Sequence, residues 1–391
     1  MNAVAQRKAA LAGTLAAAII GISSYLGTTA ARPTVAKTSE PRSWNEKYAA
    51  NYLDQRQDWW MEWPKAKRDH ETFCVSCHTA LPYALARPAL SRALRERTPS
   101  SQERSLLENV TKRVRLWNEV APYYSDANYG AHKAVESRGT ESVLNALILA
   151  SKDAENGQLS DDTRTAFANM WAEQQISGNN KGTWLWQRFG LEPWEADDSD
   201  YYGATLAAVA IGTAPGNYRA TPEIQSRLTM LREYLDREYA AQMSLNRASL
   251  LWAAAKLPGL ITQEQRNAII TELLGKQQAD GGWSLSSLVG EWKRADGTPQ
   301  ETKSDGYATG LTVFTLEQSG ITSENAELKR GLAWLARNQD RTEGSWVGYS
   351  LNRNKQHHIS PETASFMSDA ATAYAVLALT GTESRHSDFQ R

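Results

Sequence analysis

Cysteine is nearly absent from this chain: Cys74 and Cys77 are the only two in 391 residues. That excludes a disulfide-dense scaffold and leaves no second pair to complete a four-ligand structural zinc site. An excess of either charge is missing too, with 43 basic against 44 acidic side chains and no basic tract. Nucleic acids and anionic membrane surfaces, which select for clustered Lys and Arg, are therefore not expected partners. Nor does any stretch read as a strand pair. No strand–helix alternation surrounds the cysteines, which argues against a thioredoxin-like redox motif.

What is present is concentrated. The two cysteines fall in Cys74-Val75-Ser76-Cys77-His78, the C-x-x-C-H spacing in which two thiols add across the vinyl groups of a haem and the next imidazole becomes the proximal iron ligand. Two intervening residues set the sulfurs about one helical turn apart. The stretch resembles the attachment motif of c-type cytochromes. That resemblance implies one covalent haem c per chain, held by Cys74 and Cys77 with His78 on the iron, and a redox partner protein. Small cytochromes of this kind commonly use a Met before a proline as the sixth ligand, and no such Met-Pro pair stands here. The distal candidates are His132 and Met61, with an open site as the alternative. His70 lies too close to Cys74 along the chain to reach the opposite haem face easily.

The N-terminus agrees with this reading. Arg7 and Lys8 precede an uncharged apolar run from Ala9 to Leu26, followed by the small residues Gly27-Thr28-Thr29-Ala30-Ala31. These are the three regions of a secretory signal over residues 1–31. At roughly 18 residues the run could also remain as a single anchor. Haem c is attached outside the cytoplasm, so a periplasmic location is expected, free or anchored to the inner membrane.

About 360 residues follow the signal, enough for one large domain or two ordinary ones. Their main feature is a repeat. Three helices ending in Gln are each followed by Gly-x-Trp: Gln174-Gln175 with Gly182-Thr183-Trp184, Gln277-Gln278 with Gly281-Gly282-Trp283, and Gln339 with Gly344-Ser345-Trp346. After each comes a Ser-Asp pair opening an apolar helix, at Ser199-Asp200, Ser304-Asp305 and Ser368-Asp369. The segment 327–338 is amphipathic, whereas 369–380 is apolar almost all round and reads as buried on every side. Solvent-facing helices are predicted near 102–118, 161–175, 222–240, 263–278 and 324–338, and buried ones near 140–151, 200–212, 245–256, 305–319 and 369–380. The fold class is all-α: an α/α toroid of about five to six helical hairpins, preceded by a small helical haem segment. Residues 1–31 are the signal or anchor, 40–100 the haem-binding segment and 101–391 the toroid, with 45–65 available as a further layer.

The Gln and Gly-x-Trp pattern is similar to the tandem motif of the squalene–hopene cyclase and protein prenyltransferase superfamily, over roughly residues 100–391. The resemblance implies a toroid in which Gln175, Trp184, Gln278, Trp283, Gln339 and Trp346 are scaffold that ties successive outer helices together. The helices near 102–118 and 222–240 lack a full motif.

Three long loops, 184–200, 283–305 and 346–369, run from Gly-x-Trp to the next buried helix and should converge at one mouth. The first carries Glu195-Ala196-Asp197-Asp198, which resembles the Asp-x-Asp-Asp proton donor of class II terpene cyclases. Asp197 would be the acid, with Glu195 and Asp198 beside it, since close carboxylates raise one another's pKa. Acidic residues before a helix also favour its positive end, and the recurring Ser-Asp pairs read as N-caps, Asp200 included. The leading function is an exported monohaem electron-transfer protein with the toroid as binding scaffold. The alternative is an enzyme acting on an apolar, isoprenoid-like substrate by Asp197 acid catalysis or haem-dependent oxidation. A structural cytochrome-containing partner of a larger membrane complex is a third class. The residues leave open whether the chain is an enzyme.

Overall fold

Each apolar segment that the pattern marks as buried forms a helix, and each amphipathic segment forms another beside it. The computed structural model describes residues 44–124, 130–352 and 364–388, with side chains to Gly381 in the last helix. The expected signal at 1–31 and the loop residues Arg353, Lys355, His357 and His358 lie outside these residues.

In chain order the helices are α1 (Glu46–Glu62), α2 (Ala80–Ala93), α3 (Ser101–Arg115), α4 (Gly130–Asn156), α5 (Asp161–Glu173), α6 (Ser199–Thr213), α7 (Gln225–Glu238), α8 (Ser244–Lys256), α9 (Gln263–Gly275), the short α10 (Leu285–Leu288), α11 (Gly306–Gln318), α12 (Ala326–Asn338) and α13 (Phe366–Asp388). The one sheet among the described residues is a two-residue antiparallel pair, β1 (Lys67–Arg68) with β2 (Thr72–Phe73). Residues 41–391 form one compact unit. Among the described residues no helix is long and apolar enough to cross a membrane.

Side chains cap several helix starts. Ser100 and Thr262 each form a reciprocal capping box, with Glu103 and Gln265 respectively. Such caps satisfy amide donors that have no partner inside the helix. Pro88 does not interrupt α2, which runs through it to Ala93. Pro88 removes one backbone donor, and a well-packed face that buries Ala86, Arg87, Ala89 and Leu90 carries the helix past it.

The apolar helices pack on one another in sequence. α2 lies against α4, α4 against α6, α6 against α8, α8 against α11, α11 against α13, and α13 against α2. In α11 every residue from Gly306 to Glu317 is buried. In α12, beside it, only Leu328, Gly331, Trp334 and Leu335 are. The amphipathic helix turns one stripe inward and leaves its charges in water.

The three tryptophans of the repeat are wholly buried and make the same bond. Trp184 Nε1 donates to the Met170 carbonyl at 2.6 Å, Trp283 to Leu273 at 2.7 Å and Trp346 to Leu335 at 2.8 Å. The glutamines require a correction. Gln174 Nε2, not Gln175, donates to the Gly182 and Arg227 carbonyls, both at 3.1 Å. Gln277, not Gln278, reaches Gly281 at 2.9 Å and Glu327 at 2.7 Å. Gln339 makes the matching pair, to Gly344 and Asn45, each at 2.9 Å. Of each doubled Gln, the first lies where the helix stops and reaches the next amphipathic helix; the second bonds elsewhere, Gln175 to Glu173 and Gln278 to Thr302. The last repeat thus ties the chain to its own first helix. Gly344 makes that approach possible: at φ 79° its α-carbon lies against the Tyr48 carbonyl, where a side chain would collide.

Candidate functional site

The C-x-x-C-H segment sits where a strand hands over to a helix. β2 ends at Phe73, whose amide and carbonyl are both held by the Asn109 side chain at 2.9 Å. The Cys74 amide donates to the Ala66 carbonyl at 2.8 Å, and Trp60 Nε1 donates to the Cys74 carbonyl at 2.8 Å. Ser76 then starts α2, its hydroxyl accepting the Thr79 and Ala80 amides at 3.2 and 3.0 Å. Cys77 is buried and Cys74 half-buried, and burial raises the pKa of both thiols. These are not activated nucleophiles of the redox-enzyme kind.

His78 lies in the turn just before α2, held from three sides. Phe366 stacks on its ring (centroids 3.8 Å apart, 23° between planes), Trp60 meets it edge-on at 5.0 Å, and Trp194 lies 6.0 Å away. Burial, with Arg56 nearby, lowers its pKa to about 3, so the imidazole is neutral. Its tautomer follows from a chain of bonds. Thr79 Oγ1 donates its only proton to Asp369 Oδ2 at 2.7 Å. Asp369 is fixed as acceptor by Arg56, at 2.7 and 3.0 Å, and by the Tyr52 hydroxyl at 3.0 Å. The 2.9 Å contact between His78 Nδ1 and Thr79 Oγ1 must therefore carry the Nδ1 proton. Nε2 keeps its lone pair, and no described residue takes it.

The three long loops meet over this turn. The Glu192 amide donates to Asn352 Oδ1 at 3.0 Å, joining the first loop to the third. Trp292 Nε1 and Gln300 Nε2 donate to the Leu351 carbonyl at 3.2 and 3.0 Å, joining the second to the third. Trp194 Nε1 donates to the Tyr307 hydroxyl at 3.1 Å, which places the first loop over the start of α11.

Within the acidic stretch the side chains diverge. Asp197 is exposed. Glu195 is half-buried, and desolvation, eased by Lys133, lifts its pKa to about 7. Asp198 is the N-cap residue of α6 but makes no capping bond; it accepts from Asn246 at 3.2 Å, and burial raises it. Glu192, missed in the sequence, is buried beside Asp198 and pushed up to about 8. Asp200 is not the cap expected of it. It lies inside the first turn of α6, paired with Arg188 and bonded by Asn180 at 3.3 Å. Of the three Ser-Asp repeats only Asp305 caps its helix, accepting the Ala308 amide at 2.9 Å.

Neither distal candidate is brought to His78 by a described contact. His132 is 76% exposed on α4, its Nε2 2.9 Å from Glu136 Oε1. Met61 is partly buried on α1, next in sequence to Trp60.

Comparison with protein-family models finds no match, and none emerges among curated proteins. Among the described residues, no group of three His, Cys, Asp or Glu side chains is arranged to hold a metal ion. The donor set that does exist is one neutral imidazole of fixed tautomer, next in sequence to the second of two thiols. This fits covalent haem, which brings four iron ligands of its own and asks the protein for an axial nitrogen.

Proposed function

We propose that this chain is an exported monohaem c-type cytochrome-like protein, with haem held at Cys74 and Cys77 and His78 Nε2 on the iron. The observation that carries the reading is the chain Arg56–Asp369–Thr79–His78. An outer partner for the far ring nitrogen is what metal-ligating histidines use to fix orientation and raise basicity. The bound group supplies one-electron Fe(III)/Fe(II) chemistry. The residues around it do the rest. Trp60, Trp194 and Phe366 exclude water, Thr79 holds the Nδ1 proton, and the converging loops offer the surface where a redox partner docks. The expected setting is the periplasm, with residues 1–31 as leader or membrane anchor.

The scaffold in this proposal is an α/α toroid. Two features support it: the apolar helices neighbour one another in a closed series from α2 round to α13, and Gln339 and Gly344 tie the last repeat to α1. The series runs through α2 and the Gln339 tie ends on α1, which would make the haem segment part of the ring.

An enzyme acting on an apolar substrate is the second reading. One observation favours an acid at Glu195 over Asp197: the former titrates near neutrality and is half-buried, while the latter is exposed.

The deciding experiment is extraction of the denatured protein, purified from the periplasm, with acidified organic solvent. Haem should stay with the polypeptide. Complete release would show that attachment is not covalent and overturn the assignment. Optical spectra of both redox states then report axial ligation.

A further inference from the structure

At the end of the apolar helices away from His78 lies a cavity of about 740 Å³, within the range of small-molecule sites. All six helices contribute to its wall, through Tyr83, Ile148, Val209, Trp252, Phe314 and Leu377. Its cations are unequal. Arg92 and Lys152 both belong to Glu155, at 2.8 and 2.9 Å, and Arg97 stands exposed to solvent. Lys256, the last residue of α8, is half-buried, and its ammonium has no carboxylate partner among the described residues. Its burial lowers its pKa with no acidic neighbour to offset the loss of water. Gly212 brings it there: a side chain at that position would collide with the Lys256 backbone, so α6 and α8 close up at this end. A helix C-terminus favours a cation in its last turn, but that is satisfied by an exposed lysine and does not require one in a cavity wall.

We infer that this cavity binds an amphipathic monocarboxylate, its apolar body among Trp252, Phe314 and Leu377 and its carboxylate on Lys256. Lys256, the half-buried cation of the wall without a carboxylate partner among the described residues, matches one negative charge, and the wall's own carboxylates Glu96, Glu103 and Glu155 disfavour a ligand of higher charge. A fatty acid and an isoprenoid acid share this chemistry, and the choice of probes separates them. The inference stands on the cavity alone and does not depend on haem.

The test uses the full chain and two probes, cis-parinarate (a straight-chain polyene acid) and retinoate, each compared with its alcohol. Saturable 1:1 binding of at least one acid is expected, with the matching alcohol bound at least tenfold more weakly, the scale of losing a hydrogen bond to a charged group. Lys256→Met should weaken the acid by a similar factor and leave the alcohol unchanged, and Lys256→Arg should restore most of it. Val209→Trp, which fills the cavity, should abolish both. Equal binding of acid and alcohol by the unaltered protein overturns the inference without any variant. So does undiminished binding by Lys256→Met or by Val209→Trp, or no binding of either acid.

Discussion

The two ends of the apolar helices do opposite things. Where they begin, aromatic rings and bonded side chains fill the space: Phe366, Trp60 and Trp194 around His78, and Arg56, Tyr52 and Thr79 on Asp369. Where they end, the side chains leave a cavity. Close contacts hold a side chain in one position, whereas a void leaves room for a separate apolar ligand. A continuous run of aromatic contacts joins the ends. Trp194 meets Tyr307 at 5.4 Å, Tyr307 meets Tyr374 at 5.7 Å, Tyr374 meets Phe314 at 6.0 Å, and Phe314 meets Trp252 at 5.2 Å.

The most damaging change at the crowded end is to the motif itself. Cys74→Ser or Cys77→Ser should leave haem extractable or loosely held, and His78→Ala should abolish low-spin ligation, both read from spectra before and after extraction. Unaltered spectra in all three variants would place the haem chemistry elsewhere.

Next in size is the scaffold that both ends share. Trp283→Ala and Trp346→Ala should each cost about 3–5 kcal/mol in chemical unfolding, the usual loss for a buried large aromatic. Both rings are wholly buried and each loses its bond to the helix before it. Haem content should not change, since neither touches the motif. Two unchanged unfolding midpoints would remove the tryptophans from the core.

How much of this was legible depended on sequence distance. The C-x-x-C-H motif is local, and so are the Gly-x-Trp units and the apolar and amphipathic helices, so each could be read from a short window. The partner that sets the His78 tautomer lies 290 residues beyond Thr79, and no local pattern marks Asp369 as different from Asp200 or Asp305. The three Ser-Asp pairs look alike, yet one caps and two take arginines, because only the fold decides whether a guanidinium is within reach. The doubled glutamines were misread by one place for the same kind of reason: either could follow the helix, and only the position of the neighbouring chain selects the first. The cavity left no trace, since the residues that line it are scattered over many helices and share no local pattern.

That one-place difference can be measured. Gln277→Ala should cost about 1–2 kcal/mol, since it strips two backbone carbonyls of their donor, and Gln278→Ala should cost less. Equal losses would mean the bond to Glu327 is not what the repeat preserves.

The smallest effect expected concerns Glu192, a buried acid of the crowded end that no cation neutralises in the described contacts. Burial and the charge of Asp198 lift its pKa from 4.5 to about 8. The folded state therefore holds this proton more tightly than the unfolded chain does. Stability tied to the group is present below pH 4.5 and is lost as pH rises towards 8. A glutamine has no proton to lose, so Glu192→Gln should match the unaltered protein at pH 4 and exceed its stability by about 1 kcal/mol or more near pH 8.5. His78 titrates with the opposite sign, its folded pKa lying below its unfolded one, but it does so in both proteins and drops out of the difference. Parallel stability curves across this range would mean that Glu192 is ionised and solvated, and that the crowded end is open to water at the first loop.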